Sequence, residues 1–74
     1  TLITVAKQFR EEILIIERNV KAMMAIDAGE AGEKADVGET KANIMLAYRH
    51  LEDARMRLGK VIQAQDGGVS CYKK

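Results

Sequence analysis

The sequence predicts an all-α fold: a two-helix antiparallel hairpin that assembles into a helical homo-oligomer. Three observations carry this. Two long stretches repeat their apolar residues at alternating steps of three and four, and a short glycine-bracketed stretch separates them. There is no proline, and the 74 residues include a single cysteine, so the chain is one small domain without an internal disulfide. Domains of this size are short of core unless a disulfide, a metal or a partner chain makes up the difference. One His and one Cys cannot furnish a four-ligand zinc site. Partner copies are the route that remains.

Helix one is predicted from about Leu2 to Ala28. Leu2, Ala6, Phe9, Ile13, Ile16, Val20 and Met23 form a seam of coiled-coil type. Ile3, Leu14, Ile15 and Met24 lie outside it, as in a helix that touches more than one neighbour. Lys7–Glu11 and Glu17–Lys21 are four apart and are expected to pair on an exposed face. Gly29 is the expected left-handed stop. The stretch from Gly29 to Val37 is polar and has no apolar period, so it reads as the connecting loop.

Helix two is predicted from about residue 38 to residue 66. Asp36 to Glu39 has the form of a capping box, with Asp36 as N-cap and Glu39 reaching back. Ile44, Ala47, Leu51, Ala54, Leu58 and Val61 form the second seam. Strand alternation fails, because Leu46-Ala47 and Val61-Ile62 would then point to opposite faces. Gly67-Gly68 ends the helix, leaving a tail over 67–74. The surplus apolar residues, among them Leu46 and Met56, would form a patch that monomers avoid. Interfaces between copies thus become candidate binding sites.

Enzymatic chemistry finds no footing. No carboxylate pair is fixed in a cleft, and neither a phosphate-binding glycine loop nor a metal spacing occurs. His50 is a lone histidine on a helix edge. Cys71 follows a glycine pair with only Lys73 and Lys74 nearby, and a partnerless thiol points to a reducing compartment. No cofactor is expected. A net charge of +1 gives no field to hold duplex nucleic acid. Thr1–Ala6 is apolar but short and lacks a basic flank, so neither a signal peptide nor a membrane span is expected.

A second line on helix two runs beside the seam at steps of seven: Lys41, Tyr48, Arg55, Ile62. A tyrosine ring offers a flat face to a base, and a guanidinium matches phosphate oxygens. Lys41, Tyr48 and Arg55 are therefore the first candidate ligand-binding residues, with Arg49, Arg57 and Lys60 second. The alternative is plainer: Tyr48 and Arg55 flank a seam and cover apolar surface with their stems. Arg49, Asp53 and Arg57 stand four apart and can pair on the back of the helix. The four methionines fit as packing filler.

From Gly38 to Gly68 the sequence resembles the helical-hairpin domain of phage anti-CBASS and anti-Thoeris sponge proteins. Leu46-Ala47, Leu51, Met56, Leu58, the basic Lys60 and Ile62 carry the resemblance. It implies a small helical protein of the host bacterial cytoplasm, assembled into oligomers, typically hexamers. It further implies binding of cyclic oligonucleotide second messengers at contacts between protomers, without cleavage, so that the immune effector stays off. Such sponges stack purines on an aromatic near their N-terminal helix. Helix one offers only Phe9, which sits on the seam, so that role is not carried over. The alternative function is a structural helical-hairpin oligomer, or a coiled-coil-like interaction module, without a small-molecule ligand.

Overall fold

The computed structural model describes residues 1–67; the rest of the tail, with Cys71, lies outside them. The fold is an antiparallel pair of helices, α1 (Leu2–Ala22) and α2 (Val37–Gln65), which contact each other along their length. At about 1.5 Å per residue α1 is roughly 31 Å long and α2 roughly 43 Å. The particle is a rod, 54 × 20 × 16 Å.

The ends of the helices follow from local hydrogen bonding. The Thr1 hydroxyl accepts from the Thr4 amide (3.1 Å) and caps α1. At Met23–Ala25 the backbone tightens into a 3-10 turn, and Ile26 leaves it in an extended conformation. Helix one therefore ends as an α-helix six residues before the expected Ala28. Gly29 is not the left-handed residue: among the described residues only Gly32 and Gly67 have positive φ. The Asp27 carboxylate accepts from the Gly29 amide (2.8 Å) and turns the chain, and Gly32 (φ +83°) opens a second 3-10 turn, Gly32–Lys34.

Asp36 caps α2 as expected, accepting from the Glu39 amide at 2.9 Å. The reciprocal half of the box is missing. The Glu39 carboxylate instead accepts from Asn43 Nδ2 (2.9 Å), one turn into the helix.

The seams enter the contact by one edge only: Ala6 and Ile13 of the first lie in it, and the other edge of each seam stays open. The line of α1 against α2 is Ala6, Arg10, Ile13 and Glu17, and its counterpart on α2 is Tyr48, Arg55, Gly59 and Ile62. Among the described residues the fully buried apolar side chains are Ala6 and Ile62, while Glu17 is 2% exposed. The seam residues Leu2, Phe9, Ile16 and Met23 remain 45–57% exposed, and Ala47 and Ala54 are exposed too. The helices are thus rotated so that a charged pair lies between them and the apolar seams flank it. Glu17, expected on an exposed face beside Lys21, is instead the most buried polar residue among those described.

Both seams open on one side of the hairpin. Around α1, Leu14 and Lys21 are reached by turning from the contact line in one sense, and Phe9 and Ile16 by turning in the other. Because α2 runs antiparallel, the sense reverses, and Ala47, Ala54 and Leu58 emerge on the same side as Phe9 and Ile16. The opposite side carries Arg18 and Lys21 beside Tyr48.

Candidate ligand-binding site

The charged side of the hairpin is built around Glu17 and Arg55. Arg55 Nε donates to Glu17 Oε2 at 2.6 Å and Nη2 to Oε1 at 3.4 Å. Such a two-point fork fixes orientation as well as charge. The Glu17 side chain is 3% exposed and that of Arg55 30%. Arg10 Nε donates to the Arg55 carbonyl at 3.1 Å, tying a second arginine into the contact. No buried side-chain nitrogen or oxygen among the described residues lacks a hydrogen-bond partner.

Two turns along α2 from Arg55, Tyr48 is half-buried, and the Lys21 ammonium stands over its ring, 5.1 Å from the centroid. This is a cation–π contact on a ring whose other groups are also paired. The Tyr48 hydroxyl is held above its ordinary pKa of 10.0, first by burial, then by the Glu52 carboxylate through charge and a hydrogen bond, with Glu17 adding and Arg55 opposing. It is therefore a neutral donor throughout the physiological range.

Tyr48 and Arg55 share a shallow cleft of about 330 Å³ with Leu14, Glu17, Arg18 and Lys21. A second of the same size, across Arg55, takes in Lys7, Arg10 and Ile62. Lys41 does not join them. It lines a separate cleft of about 450 Å³ under the hairpin turn, with Lys34, Met24, Thr40 and Ile44. Arg49, Arg57 and Lys60 are exposed, and their helical positions turn them away from α1. Arg57 meets Asp53 at 3.9 Å with both side chains largely in solvent, which contributes little.

The seven-residue line thus divides. Ile62 belongs to the core, Tyr48 and Arg55 to the charged side, and Lys41 to the turn. Residues from α1 complete the cluster: Lys21, Arg18, Glu17 and Arg10. The exposed i,i+4 reading of Glu17 and Lys21 concealed them; the signal was a carboxylate level with an apolar seam, one position off its axis.

Chemically, the cleft presents an aromatic ring, several cations and one deeply held carboxylate. Any anion approaching Arg55 competes with Glu17. Among the described residues no group of three or more His, Cys, Asp or Glu is placed to hold a metal ion, and no helix is long and apolar enough to cross a membrane. No family model, curated protein or solved structure matches the chain.

Proposed function

We propose that this chain is a sponge for cyclic oligonucleotide messengers: a hairpin that self-associates and holds cyclic di- or trinucleotides without cleaving them, so that a CBASS-type effector is not switched on. The observation that carries the reading is the Tyr48 cluster. One ring, Lys21 over it, and Arg18 and Arg55 beside it occupy a shallow cleft on one side of the rod. Ligand sites commonly enclose most of their guest in roughly 300–1,000 Å³. A shallow cleft of about 330 Å³ on a single hairpin is one wall of such a site. A second copy supplies the other, in keeping with the resemblance in α2 to hairpins that bind between protomers.

The revised division of labour follows. Lys21 swings off the Tyr48 face to neutralise a phosphate, and a base takes its place on the ring. Arg18 adds charge, and Arg55 reaches the ligand only as far as Glu17 releases it. Lys41, Arg49, Arg57 and Lys60 lie on other surfaces of the hairpin and would serve only from a neighbouring copy.

Calorimetry with a panel of cyclic di- and trinucleotides, and linear dinucleotides as controls, tests this. Binding is expected with at least one cyclic species, recovered chemically unchanged by chromatography. Tyr48→Ala weakens it by about 5- to 150-fold, the span of roughly 1–3 kcal/mol for one base stacked on an aromatic ring. No heat with any of the panel removes the reading for those ligands.

A second reading has its own observation. Glu17 already neutralises Arg55, and the exposed seams demand a protein neighbour. On that reading the chain is a structural hairpin oligomer, and Tyr48→Ala changes assembly or nothing.

A further inference from the structure

The geometry points to a face-to-face pairing in which the apolar side of one hairpin packs on the apolar side of a second copy, α1 of each lying antiparallel over α2 of the other. This deepens the self-association invoked above and is independent of the ligand.

Three features select a second copy as the occupant. Among the described apolar residues the hairpin by itself fully buries only Ala6 and Ile62, so its fold needs a cover whenever the chain is present. Another copy is the one partner supplied in equal amount with the chain. The second feature is shape. The large residues Phe9 and Ile16 on α1 and Met23 just past its end recur every seven residues, and on α2 the small residues Ala47 and Ala54 have the same spacing. The Glu17–Arg55 and Lys21–Tyr48 contacts fix the levels. They set Ile16 about level with Ala54 and Met23 about level with Ala47. A twofold axis running along the rod keeps those levels, so it seats Ile16 of each copy over Ala54 of the other, and Met23 over Ala47. Large side chains then enter the gaps over small ones. The third feature is charge. At the outer rim of this side, Glu12 on α1 is level with Arg57 on α2, so the same axis sets a carboxylate beside a guanidinium along both edges. Stacking the two copies with α1 over α1 gives neither match.

Cysteine cross-linking tests the register. Two variants are made in a Cys71→Ser background, one with Ile16→Cys and one with Ala54→Cys. Each is checked for helicity and mixed with the other under mild oxidation. The expected result is a disulfide-linked dimer in the mixture and none with either variant alone. A dimer from Ile16→Cys alone shows α1 over α1 and overturns the register. No cross-link in the mixture, with the unaltered chain still multimeric by mass, overturns this side as the contact. A folded single-chain mass for the unaltered protein at high dilution overturns pairing altogether, whatever the calorimetry of ligands gives.

Discussion

Removing the Glu17 carboxylate takes away the acceptor of the two-point fork that Arg55 makes across the helix contact. The pair is the only ion pair among the described residues with a deeply buried member, and it sits where an apolar pair would ordinarily be. Breaking a fully buried pair by deleting one partner costs roughly 3–5 kcal/mol. Arg55 keeps 30% of its side chain in solvent, which relieves part of that, and one of its two hydrogen bonds is long at 3.4 Å. Glu17→Ala should then cost about 2–3 kcal/mol, within the range expected for lost hydrogen bonds to a charged group plus a small cavity. For a chain of this length that lowers the melting temperature by about 8–24 °C at fixed chain concentration. Glu17→Gln keeps the hydrogen-bonding shape and should lose less. Replacing both partners, Glu17→Met with Arg55→Met, should return to within about 1 kcal/mol of the unaltered protein or exceed it, because neither member of the pair then stays behind without the other. Circular-dichroism melts of the singles and the double complete the cycle. If Glu17→Ala melts with the unaltered chain, the pair does not lie between the helices and the rotation described for them is wrong.

Other expectations are narrower. In a Tyr72→Phe background, ultraviolet titration should place the Tyr48 phenol above its ordinary 10.0, and Glu52→Gln should bring it down, since Glu52 follows burial among the causes that raise it. A raised folded-state pKa on an acid favours the protonated form, so this contribution to stability is whole below pH about 10 and fades as pH climbs through the folded value. Asp36→Ala removes the cap on the Glu39 amide and should cost about 1 kcal/mol by denaturant melt. Gly32→Val places a β-branched residue at φ +83°, where no side chain crowds but the backbone itself objects; a loss of about 1–2 kcal/mol is expected, against less for Gly38→Ala, where φ is negative.

The hairpin was legible from periodicity because α1 and α2 are long and their apolar steps unbroken. Asp36 marked the start of α2 for a local reason, an amide one turn on that needs an acceptor. The end of α1 was less legible. It is shared among a 3-10 tightening at Met23–Ala25, the Asp27 carboxylate and Gly32, none of which gives a sharp signal. The rotation of the helices was hidden for a different reason. A wheel shows which residues lie on one stripe, but it does not say whether two stripes meet each other or share an open side. That depended on the long-range match between Glu17 and Arg55, 38 positions apart. The same contact moved Arg55 from an edge facing solvent to a partnered position, brought Lys21 and Arg18 to Tyr48, and left Lys41 at the turn.

The division of the rod into an oily flank and an electrically patterned one limits how copies can be counted. Two hairpins that hide their oil against each other present their patterned flanks outward, back to back. Neither flank can then close over a guest with its twin, since the twin looks the other way. On the proposed pairing, a guest held from two sides would require a further couple, and the assembly would grow in twos.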